Sequence, residues 1–224
     1  GILNGTTNYI WSQMTETGVN YAIALADAKK QGFAEADPTN DVCGFDAARK
    51  LAILSSIGFR ANVTFDDVLV EGIEKIDKSD IQYAKDMGYT IKLLTVALRQ
   101  ENGIALNVYP AFLPDNHPLS SVKGAYNAIY VTGNIVDDVM FYGRGAGALP
   151  TASAVMGDVI STAQHILNGS TGTGMIMTDT KRIPFYSSLK LQNSYYFRLD
   201  VDDVTGVLSQ IAAAFAENDI SICE

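Results

Sequence analysis

The spacing of apolar residues changes character along the chain. From residue 1 to 58 it is helical. Tyr21 to Lys30 is rich in alanine, and Gly32 follows where a helix end favours glycine. Asp37-Pro38 reopens the chain, with Pro38 suited to a first helical turn. From Gly44 to Ile57 the residues Phe45, Ala47, Ala48, Leu51, Ala52, Ile53, Leu54 and Ile57 cover almost every side. A helix apolar all round is a buried one, so burial is predicted here, with Gly58 as the end. Asp66-Asp67 before Val68, Leu69, Val70 and Ile73 predicts a short helix. Asp77 to Met87 predicts another, with Ser79-Asp80 near its start.

The pattern then turns to β-branched and aromatic residues. Tyr89 to Leu98 and Ile104 to Phe112 read as strands, and Asn102-Gly103 between them is a hairpin signal. Ala128 to Val131 and Val139 to Tyr142 predict a second pair around Gly133-Asn134. The glycine-rich stretch Gly143 to Gly147 leads into an amphipathic helix, Ala152 to Leu167, that ends at Asn168-Gly169. Residues 168 to 194, rich in Ser, Thr, Gly and Asn, read as a connector. Tyr195 to Val201 predicts a strand, Val207 to Glu217 a helix and Ile220 to Cys223 a strand. The fold class expected is α+β: helices packed on one mixed or antiparallel sheet, followed by a partial β-α-β segment.

Composition narrows the function. The 224 residues are 47% hydrophobic and 18% charged, enough apolar material for a core without disulfide or metal staples. A net charge of -9, with basic clusters only at Lys29-Lys30, Arg49-Lys50 and Lys181-Arg182, argues against a nucleic-acid partner. Cys43 and Cys223 form no disulfide framework and no zinc motif, and read as reduced thiols in a cytoplasmic protein. No apolar run reaches the ~18 residues of a membrane span. The start at Gly1 has neither a signal-peptide pattern nor an initiator Met, so the chain is expected to begin inside a longer gene product.

Candidate chemistry gathers in three places. Asp46 and Lys50 are four apart and share a helix face. They read either as a surface ion pair or, on a buried helix, as a functional pair whose desolvation cost has a purpose. Glu35, Asp37 and Asp41 put three carboxylates into seven residues, a site for a cation or an amine, or ordinary capping of a helix start. The alternating pattern of a calcium loop is absent. Gly143 to Gly147 offers backbone N–H groups before a helix, a place for an anion or a close-lying cofactor, though it fits neither common phosphate-loop fingerprint. His117 and His165 have no sequence partners and read as structural or solvated.

Three stretches together resemble homoserine dehydrogenase. They are Gly5 to Ile10, Ala34 to Lys50, and Gly143 to Gly147 with Met156, Gly157, Asp158 and Val159. The resemblance spans residues 1 to about 168, and the middle stretch is the most discriminating. It implies interconversion of L-homoserine and L-aspartate 4-semialdehyde with NADP or NAD, in threonine and methionine biosynthesis. Position by position it implies Lys50 as the catalytic acid/base and Asp46 as its partner. Glu35 would hold the substrate's ammonium, with Asp41 a second acidic residue of that pocket. Thr6 would fall in a loop that closes on substrate, and Gly145 and Gly147 in the loop that meets the nicotinamide. No metal is carried across, because the family's cation site draws on a segment outside this sequence.

The resemblance also implies domains. Residues 1–168 are expected to be the catalytic and substrate domain, 169–194 a linker, and 195–224 the opening of an ACT-like module that binds an amino-acid effector. That last part rests on Leu199 to Leu208 and Phe215 to Ser221. A nucleotide-binding domain, with a further active-site lysine, is expected to precede residue 1, which would leave the isolated piece inactive. A homodimer is expected through the sheet. The rival reading, a non-catalytic amino-acid-sensing or dimerisation fragment, draws on the ACT-like opening. The Asp46–Lys50 pair argues against it.

Overall fold

The computed structural model describes residues 1–101, 103–170, 183–186 and 193–223. Its contacts divide the chain into two units, Gly1–Leu191 and Gln192–Glu224. The first is α+β, as expected.

Four helices open it. α1 (Gly5–Thr17) starts at Asn4, whose side chain accepts from Thr7 N–H, and stops at Gly18 in the left-handed conformation. α2 (Tyr21–Lys30) is capped by Asn20, and a short α3 (Thr39–Val42) leads into α4 (Phe45–Phe59). α4 corrects one expectation. Ala47, Ala48, Leu51, Ala52 and Ser55 are buried, but Ile53 is 61% and Ile57 49% exposed. It also runs through Gly58 and ends at Arg60, with φ 51°. The stretch after it is no helix beyond the 3-10 turn Phe65–Asp67. Leu69–Val70 instead forms β1, Leu69 lying opposite Asn107 and Val70 opposite Val108 in a parallel ladder. α5 (Lys78–Asp86) has Asp77 as its cap, in a reciprocal capping box with Asp80.

The predicted hairpin is β2 (Tyr89–Gln100) with β3 (Gly103–Pro114), antiparallel from Tyr89 opposite Pro114 to Gln100 opposite Gly103. Asn102, half of the turn signal, lies outside the described residues. Gly103 is required: a Cβ there would stand 2.1 Å from the Pro184 carbonyl oxygen, because residues 183–186 run beside the start of β3. β4 (Tyr126–Gly133) and β5 (Asp137–Arg144) form a second antiparallel ladder. Among the described residues the strands thus form two sheets where one was expected, with strand orders β1-β3-β2 and β4-β5. Residues 1–3 stitch them together. Gly1 exchanges hydrogen bonds with Thr95 of β2, and Ile2 with Ala128 of β4.

The main core lies between the helices and one face of the three-stranded sheet. Ile10, Trp11, Met14, Ala24, Ala28, Ala48 and Leu51 meet Ile91, Leu93, Ile104, Leu106 and Val108 there. A smaller cluster of Ile2, Leu94, Leu113, Leu119, Val122 and Ala128 fills the other face, under the turn Pro118–Ser121. α6 (Ala148–Leu167) contains the predicted amphipathic helix but has no buried residue, and exposes Val155, Met156, Val159 and Ile160 as an apolar stripe.

In the second unit, α7 (Val207–Glu217) forms where expected. The flanking segments correct the prediction: neither 195–201 nor 220–223 joins a ladder among the described residues. The connector falls mostly on 171–182 and 187–192, outside the described residues, as does the basic pair Lys181-Arg182.

Candidate active site

The polar centre of the first unit is built where α1, α3 and α4 begin. Asp46 lies in the first turn of α4 and Lys50 one turn on, so helical geometry alone sets them on one side. Lys50 Nζ donates to Asp46 Oδ2 at 2.6 Å and to the Leu3 carbonyl at 3.2 Å. The pair is not enclosed: the side chains are 46% and 31% exposed. Burial therefore cannot be what distinguishes it, and as an ion pair it contributes no more than about 1 kcal/mol to stability. What distinguishes it is its surroundings. Asn4 Nδ2 donates to that same Asp46 Oδ2 at 2.9 Å and to Asp41 Oδ1 at 2.7 Å. Asp41, Asp46 and Lys50 are thus drawn together around one buried amide.

The three carboxylates before α4 take different parts. Asp37 is used locally before α3: its Oδ1 accepts from Thr39 N–H and Oγ1–H, which holds its carboxyl below the usual range. Asp41 turns inward to Asn4. Glu35 stays exposed on the loop between α2 and α3. That loop is fastened on both sides of it. Thr6 Oγ1 donates to the Phe33 carbonyl at 2.6 Å, the Phe33 ring packs 4.7 Å from that of Tyr9, and Lys29 Nζ donates to the Ala36 carbonyl at 2.9 Å. Thr6 itself is in the first turn of α1 and buried, not on a loop, and its hydroxyl is committed to Phe33.

The glycine stretch reaches the same centre through Asn127 of β4. Asn127 Nδ2 donates to the Leu3 carbonyl at 3.0 Å, the oxygen that Lys50 also uses. Gly145 passes so close that a Cβ would lie 2.6 Å from Asn127 Nδ2. Gly147 caps α6 at φ 118°, with no side-chain cap on the helix's first N–H groups. Asn4, Asn127 and the Leu3 carbonyl were not anticipated as site groups. An asparagine directly before Gly5-Thr6-Thr7 was a readable helix cap, but nothing local shows where its other end points.

The described residues contain no cluster of three or more His, Cys, Asp or Glu arranged for a metal ion, and no helix long and apolar enough to cross a membrane. The arrangement offers a lysine ammonium beside two carboxylates and a backbone carbonyl, half open to solvent. Such a set can exchange a proton with a bound oxygen and attract an ammonium group.

An α+β subunit with a lysine–carboxylate centre at its helix starts and a glycine-rich strand exit beside it defines a class that comparison with known proteins narrows. The family model for homoserine dehydrogenase matches residues 1–160. The homoserine dehydrogenase of Mycobacterium tuberculosis (strain H37Rv) is 47% identical over 229 residues, covering 100% of this chain and 52% of that protein. The crystal structure of a homoserine dehydrogenase from Thiobacillus denitrificans superposes with a TM-score of 0.88 at 37% identity, over 99% of this chain and 52% of that one. A hyperthermophilic archaeal homoserine dehydrogenase mutant in complex with NADPH matches at TM-score 0.58 and 28% identity, over 73% of this chain and 46% of that one. The chain belongs to the homoserine dehydrogenase family. It spans about half the length of the curated relatives it matches.

Proposed function

We propose that this chain carries the substrate-binding and proton-transfer residues of a homoserine dehydrogenase interconverting L-homoserine and L-aspartate 4-semialdehyde. The observation that carries this reading is the cluster Lys50–Asp46–Asn4–Asp41 at the starts of α1 and α4. Lys50 gives a proton to the aldehyde oxygen on reduction and stabilises the alkoxide as it develops. In the oxidation direction it takes that proton back. Asp46 holds the ammonium of Lys50 in place. The substrate is an amino acid, and its ammonium group is met by Glu35, with Asp41 adding negative charge to the same pocket. Thr6 contributes by holding Phe33, and so the loop that carries Glu35.

The Gly143–Gly147 stretch suits a dinucleotide. Gly145 lets the backbone pass against Asn127, and Gly147 leaves the uncapped start of α6 without a side chain of its own, which favours close approach of a flat or anionic group there. NAD or NADP, when bound, supplies or accepts the hydride. Gly145 and Gly147 would meet its nicotinamide end.

Residues 1–168 form the catalytic and substrate domain in this reading, 169–194 a linker and 195–224 part of an ACT-like module for an amino-acid effector. Support comes from the separation of contacts after Leu191, from α7 in the second unit, and from a family match that stops at residue 160. The remaining half of the relatives' length would carry the nucleotide-binding domain. The assembly proposed is a homodimer, for which the exposed Phe141 and Tyr142 on β5 offer apolar surface. The test is steady-state kinetics on the full-length gene product with L-homoserine and NAD or NADP. Lys50→Ala should lower kcat by about two to four orders of magnitude, the usual worth of a positioned acid/base. Asp46→Asn should behave similarly and should not add to it. Wild-type kcat in Lys50→Ala would end the assignment.

A further inference from the structure

We infer that Asn4 is the positioning residue of the catalytic cluster: one buried amide aims Asp46, and through it Lys50, while holding Asp41 beside them. The inference rests on the functional reading above and adds a residue to it.

Asn4 is only 4% exposed, and each polar atom of its side chain is used. Oδ1 accepts from Thr7 N–H at 2.9 Å, and Nδ2 donates to Asp41 Oδ1 and Asp46 Oδ2. The neighbours fix which end is which. A backbone N–H can only donate and a carboxylate only accepts, so the reversed amide would face like with like at all three contacts.

A helix cap needs only the acceptor. Serine, threonine or aspartate would cap α1 as well as asparagine does. The NH2 group is superfluous for that purpose, yet it supplies both remaining contacts, each to a carboxylate far away in sequence. Two carboxylates drawn to one nitrogen repel each other, and a neutral donor shared between them offsets that repulsion without cancelling their charge. A lysine or arginine in its place would hold them equally well. It would also neutralise the negative charge that Lys50 and an amino-acid substrate's ammonium require. Asp46 Oδ2 receives both Asn4 and Lys50, so the Asn4 contact fixes the oxygen toward which the lysine points.

Asn4→Ser and Asn4→Asp test this in the full-length protein, because both keep a cap acceptor and neither can donate two N–H bonds. Asn4→Ser should lower kcat for homoserine oxidation about 10- to 100-fold, the usual cost of a misaligned reacting group, with little change in melting temperature or in KM for the nucleotide. Asn4→Asp should fall further, since it adds a third carboxylate. Wild-type kcat in both variants, with melting unchanged, would overturn the inference. A second measurement needs no activity. In protein labelled at asparagine, the side-chain amide protons of Asn4 should exchange with solvent far more slowly than those of the exposed Asn134, and faster once Asp46→Ala removes an acceptor. Exchange as fast as that of Asn134 in the unmutated protein would overturn the inference whatever the kinetics. Absence of homoserine oxidation in wild type would instead defeat the functional reading, and the amide exchange alone would then decide where Asn4 stands.

Discussion

Lys92 gives the sharpest test of the packing argument, because it is a charge inside the protein. It sits in the first half of β2, 3% exposed, with Nζ donating to Asn8 Oδ1 at 2.9 Å and to the Val122 carbonyl at 2.6 Å. Both partners are neutral. Burial pushes its pKa down from 10.5 to about 8, Lys123 lowering it further and Glu16 opposing. A group whose folded pKa is depressed in this way binds its proton less tightly folded than unfolded. Stability therefore rises with pH between the two values, as the unfavourable buried charge is relieved. A shift of that size corresponds to about 3 kcal/mol of strain at neutral pH, most of which should be recovered between pH 7 and pH 10. Other groups titrate nearby: burial raises the Cys43 thiol, and Tyr21 is pushed up to about 12. The measurement is therefore a difference. Urea unfolding of wild type and Lys92→Met across that range should show a gain in wild type that the methionine variant lacks. At neutral pH the variant also leaves Asn8 Oδ1 without its donor, at a cost of about 1–3 kcal/mol. The two should thus lie close together at pH 7 and diverge above pH 8. Parallel pH profiles would refute the claim that Lys92 is buried with its charge.

Two smaller predictions concern the site. Glu35→Gln in the full-length protein should raise KM for homoserine with kcat little changed if, as proposed, Glu35 meets the ammonium in the ground state; a kcat loss at constant KM would move Glu35 out of that role. Gly145→Ala should push Asn127 off the Leu3 carbonyl, costing about 1 kcal/mol in chemical denaturation and lowering activity. Gly143→Ala, with nothing within 4 Å of the new Cβ, is the matched control for stability and should leave chemical denaturation unchanged.

The parts legible in the sequence were those written in local spacing. The β2–β3 hairpin and α2 follow from residue type and turn chemistry alone. β1 did not, because two residues make a strand only when a partner exists: Leu69 and Val70 are β-branched or aliphatic, but the parallel pairing to Asn107 and Val108 is set by the rest of the fold. The exposure of Ile53 and Ile57 was hidden for the converse reason, since an apolar face records a preference for cover and not its presence. Strict alternation along β2 would have put Lys92 on a solvent face. The turn Pro118–Ser121 and Val122 cover that face from far along the chain. At the site, the Asp46–Lys50 spacing was legible, but whether the pair is covered was left open by the sequence, and the side chains prove 31–46% exposed. Asn4 was out of reach, because its partners lie 37 and 42 residues away.

The Leu3 carbonyl accepts from two groups far along the chain, Lys50 47 residues away and Asn127 124 away. Contacts of such separation carry the largest loop-closure entropy, whereas the β2–β3 hairpin closes through a short turn. The two should therefore form at different times. The hairpin can zip while the chain is still open. The clasp on Leu3 waits until α4 and β4 have both docked. On warming, the order should reverse: the clasp is expected to loosen first, and the arrangement around Lys50 with it, while the hairpin still holds.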